Sequence, residues 1–129
     1  MPATPVKTVS VIDTYRAAVT TNPNSAEAHC NLAWGYYGQS QFAEAVKEFQ
    51  EALRLDANWL DAHYGLGLAL KGAGSKAEAV AAFEKAAALA PQMDDRVRGA
   101  MLMRLSHGQI NQLKKGNWDL DKELRHHEP

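Results

Sequence analysis

The sequence is poor in the features that announce most kinds of chemistry. Of its 129 residues only Cys30 is a cysteine, so an intrachain disulfide is impossible and a reducing compartment is compatible. No apolar run approaches the roughly 20 residues that a membrane-spanning helix needs. The opening stretch Met1-Pro2-Ala3-Thr4-Pro5-Val6-Lys7 lacks the basic-then-apolar build of a signal peptide. An excess of one charge is missing too. The 14 Lys and Arg stand against 15 Asp and Glu, for a formal net charge of -1. That balance gives no electrostatic reason to expect a nucleic acid or an anionic membrane as partner. Residues 91–129 are equally mixed, with seven basic and six acidic side chains. These absences lead to the expectation of a cytoplasmic chain without direct membrane insertion, although a partner can still hold it at a membrane.

What is present is a soluble globular composition, 46% apolar and 22% charged, in a length that suits one domain. It is also a repeat. Ala28 and His29 return as Ala62 and His63, and Leu32 returns as Leu66. Ala43-Glu44-Ala45-Val46 returns as Ala77-Glu78-Ala79-Val80, and Phe49, Ala52 and Leu55 return as Phe83, Ala86 and Leu89. The step is 34 residues, the size of one supersecondary unit that cannot bury its apolar face alone. Such units stack, and a stack displays surface rather than enclosing a reaction pocket.

The local signals are helical throughout, with no strand-like alternation. Residues 1–9 hold two prolines and read as an extended arm. Ser10 is placed to cap a first helix that carries Val11, Ile12, Tyr15, Ala18 and Val19 at helical spacing. Asn22-Pro23-Asn24 ends it. Further helices are predicted over about 26–39, 42–55, 60–72 and 76–90, the last stopped by Pro91. Ser75-Lys76-Ala77-Glu78 has the spacing of a capping box. A sixth helix is predicted from Asp94 or Asp95, continuing past Gly108 to Lys115, and Gly116-Asn117 breaks it. The tail 116–129 has Trp118, Leu120 and Leu124 as its apolar content. Small residues (Ala33 and Gly67, Ala45 and Ala79, Ala52 and Ala86) recur against large ones (Leu32 and Leu66, Phe49 and Phe83), which lets antiparallel helices interdigitate.

No grouping of these residues suggests catalysis. His29 and His63 hold the same place in successive units, ~10 Å apart per helix contact, too far for shared metal ligation. They are expected to be packed or hydrogen-bonded structural histidines. Cys30 would need a base to be reactive, and adjacent His29 points elsewhere on a helix. Gly65, Gly67, Gly72 and Gly74 fit no nucleotide loop. Asp94-Asp95 and Asp119, Asp121 read as solvated helix starts, and His126-His127 receive no role. The expectation is a non-enzyme with no cofactor and no metal.

The pattern resembles the tetratricopeptide repeat, whose spacing is an aromatic, then Leu-Gly, Tyr, Ala, Phe and Pro. Residues 26–59 match at Leu32-Ala33, Tyr36, Ala45, Phe49 and Ala52. They depart at His29 and Ala57, where the family often has Trp and Pro. Residues 60–93 match at Leu66-Gly67, Ala79, Phe83, Ala86 and Pro91, departing at His63 and Leu70. A second-half match at Tyr15, Ala18 and Pro23 precedes them, and a weak first half, residues 94–105, follows. The resemblance implies an all-α, right-handed α-solenoid of antiparallel helix pairs. Its domain spans 10–115, with the sixth helix as cap. The first helix lacks its usual forerunner, so Val11, Ile12 and Tyr15 need a cover: the arm, a second copy as a homodimer, or a partner.

In that family the first helix of each pair lines the concave surface. Carried over place by place, its inward residues are Glu27, Cys30, Trp34, Tyr37 and Gly38, then Asp61, Tyr64, Leu68, Lys71 and Gly72. The weak third unit gives Asp95, Arg98, Leu102, Leu105 and Ser106. The resemblance therefore implies an apolar strip of Trp34, Tyr37, Tyr64, Leu68 and Leu102 with Lys71 and Arg98 beside it, suited to a peptide or an amphipathic helix of another protein. A two-carboxylate clamp for chaperone tails needs Lys and Asn where Cys30 and Trp34 stand, and Asn where Gly65 stands. The resulting function is an adaptor or chaperone-like binding module. The alternative is a permanent subunit docked through its first helix and Trp118. One further expectation is that Trp118, Leu120 and Leu124 fold back into the groove until a partner displaces them.

Overall fold

The structure, a computed structural model, describes residues 10–115. Six helices follow one another: α1 (Val11–Thr21), α2 (Ala26–Gly38), α3 (Phe42–Leu55), α4 (Leu60–Gly72), α5 (Lys76–Leu89) and α6 (Arg96–Lys115). A short 3-10 turn over Ala90–Gln92 carries Pro91 between the last two. No strand occurs among the described residues. The arrangement is an all-α solenoid in which α2 pairs with α3 and α4 with α5. α1 packs on α2, and α6 packs on α5. The expected arm and the Trp118 tail lie outside the described residues.

Repeat chemistry explains each joint. Ser10 caps α1 by accepting from the Asp13 N–H at 3.1 Å, and Ser25 caps α2 by accepting from Ala28 at 3.1 Å. α2 and α4 end in the same hairpin. After α4, Gly74 sits at φ +87°, its N–H reaches the Lys71 carbonyl, and the Ser75 N–H reaches the Leu70 carbonyl at 2.9 Å. After α2, Ser40 sits at φ +58° with the same two bonds, Ser40 to Tyr37 and Gln41 to Tyr36, each 2.9 Å. This closure overturns the expected capping box. The Ser75 N–H that Glu78 was to satisfy is already held by Leu70, and the Ser75 side chain makes no cap bond.

The core follows the small-against-large pattern. Ala33, Ala45, Phe49, Ala52, Ala62 and Ala69 are fully buried in one cluster. Ala79 and Phe83 repeat it one pair later with Leu70 and Ile110. A third cluster of Leu60, Ala86, Leu89 and Leu102 seats α6. The sixth helix is the last of the array, and its outer side is not wholly polar, since Val97 and Met101 remain exposed.

Candidate functional site

Side-chain links join α2 to α4 and α4 to α6, and together they define one face. Between α2 and α4 the link is Trp34 over Gly65. A Cβ at Gly65 would stand 2.9 Å from Trp34 Cζ2 and 2.5 Å from Phe49 Cε1. Between α4 and α6 the links are polar. Arg98 Nη2 donates to Asp61 Oδ2 at 2.5 Å, and Lys71 Nζ donates to Gln109 Oε1 at 2.8 Å and to Gln112 Oε1 at 2.5 Å.

On this face Trp34, Tyr37, Tyr64 and Leu68 are half-buried. Trp34 meets Phe49 edge-on at 5.0 Å and Tyr37 edge-on at 5.8 Å between ring centroids. Tyr64 tilts against Phe83 at 5.4 Å. Trp34 and Tyr64 are thus each anchored from beneath by a fully buried phenylalanine, while Tyr37 lies between Trp34 and the half-buried Phe42, and part of every ring stays open. Such fixed, partly exposed aromatics suit the apolar side chains of a partner, because little rotamer freedom remains to be lost on binding.

Three residues expected on a binding or docking surface are not there: Ile12, expected to lie open on α1, is 6% exposed beside Gly35 of α2, and the other two belong to the inward stripe. Cys30 is 3% exposed, packed into the cluster around Ala33 and Phe49, and Leu102 is 7% exposed, packed on Leu60, Ala86 and Leu89. Helical phase placed them inward, but Cys30 lies in the cluster that Ala62 and Ala69 of α4 join, and Leu102 lies in that of Leu60, Ala86, Leu89 and Ala90. Ser106, at another inward place, is fully buried as well. Burial above all, with the Asp61 charge adding, pushes the Cys30 thiol up to about 11, which leaves it protonated and unreactive near neutrality.

The histidines take structural roles. His29 is buried, with Nδ1 2.7 Å from Glu48 Oε2 and Nε2 2.7 Å from the Pro23 carbonyl. His63 repeats the carbonyl bond, Nε2 to Ala57 at 2.8 Å. Among the described residues no group of three His, Cys, Asp or Glu could hold a metal, and no helix is long and apolar enough to cross a membrane.

Sequence reasoning missed the glutamine pair on Lys71 and the Arg98–Asp61 contact. It also missed a cavity of about 490 Å³ at one edge of the array, lined by Trp59, Leu60, Leu89 and Met93 with Asp61, Asp94 and Asp95. The thirteen-residue frame of α2 and α4 ends before Gln109, because α6 runs to 20 residues. The cavity forms where two interhelix turns converge, and no spacing within one unit reports that.

A family model described as tetratricopeptide repeat matches residues 12–58 and again 30–94. Among curated proteins none matches in sequence. Several solved structures share the fold. The second tetratricopeptide-repeat domain of human RPAP3, determined in complex with the HSP70 peptide SGPTIEEVD, is 23% identical. That likeness covers 74% of this chain and 77% of that one, with a TM-score of 0.61. The Arabidopsis OM64 domain is 23% identical over 74% and 76% of the two chains, with a TM-score of 0.62. MamA is 25% identical over 89% of this chain and 68% of its own, with a TM-score of 0.62.

Proposed function

Because the chain belongs to the tetratricopeptide-repeat family, we propose that it is a non-catalytic protein-interaction module. It holds a peptide or an amphipathic helix of a partner against Trp34, Tyr37, Tyr64 and Leu68, as a cytoplasmic adaptor or chaperone-like assembly factor. The observation that carries the reading is the cluster of half-open aromatic rings on the face shared by α2 and α4, with Trp34 and Tyr64 each seated on a buried phenylalanine. Lys71 and Arg98 border it, already held by Gln109, Gln112 and Asp61, so they frame the strip.

An acidic chaperone tail, of the kind seen in the RPAP3 complex, does not suit this face. The clamp asparagine would have to replace Gly65, and any Cβ there collides with Phe49 and Trp34. A permanent structural subunit is the second reading. It is favoured by Val11, 60% exposed on α1, as a docking contact.

The test is capture from a peptide library by the wild-type chain, by a Trp34→Ala, Tyr64→Ala variant and by Leu68→Glu, which leaves the rings in place. Loss of capture by about tenfold or more is expected for each, with helicity retained. Full capture by a folded Leu68→Glu chain refutes the strip as the binding surface.

A further inference from the structure

The two ends of the array are complementary halves of one missing pair. The 34-residue register makes Val11, Tyr15 and Ala18 on α1 the counterparts of Ala45, Phe49 and Ala52 on α3, and of Ala79, Phe83 and Ala86 on α5. Those six internal residues are fully buried against the first helix of their pair. On α1 their counterparts are open: Val11 is 60% exposed, Ala18 is exposed and Tyr15 is half-buried. At the other end Ala100 and Met101 on α6 are the counterparts of Leu32 and Ala33 on α2, and of Leu66 and Gly67 on α4. Ala33 is buried in one cluster with Ala45 and Phe49, Leu66 packs on Ala79 and Phe83, a Cβ at Gly67 would meet Phe83, and Leu32 is buried. Ala100 is exposed and Met101 is 52% exposed, with Val97, one turn away, 83% exposed.

The exposed large hydrophobics among the described residues are thus Val11, Val97 and Met101, all on the two unpaired helices. α1 is a second helix without its first, and α6 is a first helix without its second. We propose that α6 of one copy pairs with α1 of the next, completing a third helix pair across the junction and extending the solenoid from molecule to molecule. The occupant of each open face is a second copy of this chain, because the seam it would form continues the α2–α3 and α4–α5 seams in the same register. The contact is heterologous, so it propagates rather than closing as a symmetric dimer. Val11 and Met101 are larger than the alanines and glycine they replace, so the junction is wider than the internal seams. One helix pair is also a small interface, which makes the association weak and concentration-dependent. This surface is separate from the Trp34–Tyr64 strip, so the two proposals fail independently.

Sedimentation of the full chain is followed from about 10 µM to about 2 mM, a range suited to weak association. The wild-type mean mass is expected to rise past that of a dimer. Val11→Glu blocks one end and Met101→Glu the other, and each places a carboxylate in the seam. Each variant alone is expected to stay monomeric throughout that range. Mixed in equal amounts they are expected to form a dimer and nothing larger, since one retains a competent α6 and the other a competent α1. Ala18→Glu and Val97→Glu, on the same two faces, serve if either first choice loses helicity. Three results overturn the proposal. The wild-type chain remains a monomer at the highest concentration, because residues outside 10–115 or another protein cover the ends. The mass stops at a dimer, because the contact is symmetric. Or the mixed variants fail to pair.

Discussion

Stability should fall as pH rises past neutrality, and one side chain should account for most of the slope. Both ring nitrogens of His29 face acceptors, the Glu48 carboxylate and the Pro23 carbonyl, each at 2.7 Å. Only the protonated ring donates from both nitrogens. Burial is the largest influence on this group and disfavours the charge. The Glu48 hydrogen bond, the Pro23 carbonyl and the charges of Glu48 and Glu51 together outweigh it, so the folded pKa lies above the ordinary histidine value. A raised folded pKa gives stability that is complete below the unfolded value of about 6.5 and is lost as pH climbs through the folded one. Deprotonation leaves one acceptor facing a lone pair at the point where α2, α3 and the turn after α1 meet. The side chain of His29 is 9% exposed and that of Glu48 24%, so screening is partial. Losing one charge-assisted bond here costs about 1–2 kcal/mol.

The perturbation is Glu48→Gln. An amide can rotate to donate to a neutral His29 Nδ1 while Nε2–H keeps the Pro23 carbonyl, so the neutral ring is satisfied. Urea denaturation of the two proteins between about pH 5 and 9 isolates the effect, because the other titrating groups are common to both. The wild-type midpoint is expected to drop across that window and the difference between the proteins to carry the slope. Parallel curves, or wild-type stability that rises with pH through the same window, refute the argument.

Other outcomes follow from single contacts. Ser40 holds a left-handed conformation that Gly74 holds one repeat later, so Ser40→Gly should stabilise by about 1 kcal/mol and raise Tm by a few degrees in a thermal melt. Gly65→Asn, which installs the clamp residue, should destabilise by about 1–3 kcal/mol in denaturant and give no affinity for an acidic peptide in a direct titration, because its Cβ meets Phe49 and Trp34.

Most of the fold was legible because helix punctuation and packing share the same residues. The bounds of α3 and α4 coincide with the sequence-based expectation, and Pro91 stops α5 one residue early because Ala90–Gln92 tightens into a 3-10 turn. The failures are instructive. A capping box is local, but its donor at Ser75 was committed to the preceding helix, and the motif does not register that commitment. Cys30 and Leu102 were expected on the inward stripe and are buried. Helical phase gives direction, however, whereas burial depends on which side chains the adjacent helix sets over the position. The partners of Lys71 were invisible for a different reason. Gln109 and Gln112 lie beyond the length at which the first two inward helices stop, so no repeat position predicts them.

The same contrast bears on where function resides. At matched places Phe49 and Phe83, and Ala52 and Ala86, are identical and fully buried, since any change there would open a void or force the pair apart. Three inward places that differ between the units are Cys30 against Tyr64, Trp34 against Leu68 and Tyr37 against Lys71. Apart from Cys30, all of them are half-open on the face shared by α2 and α4. A partner that runs across both units would therefore meet different chemistry at each step, aromatic over α2 and then aromatic, aliphatic and cationic over α4. That asymmetry would fix the direction in which a peptide lies. Reversing it, by exchanging Tyr37 and Lys71 between the two helices, should discriminate against a cognate peptide while leaving the buried seams intact.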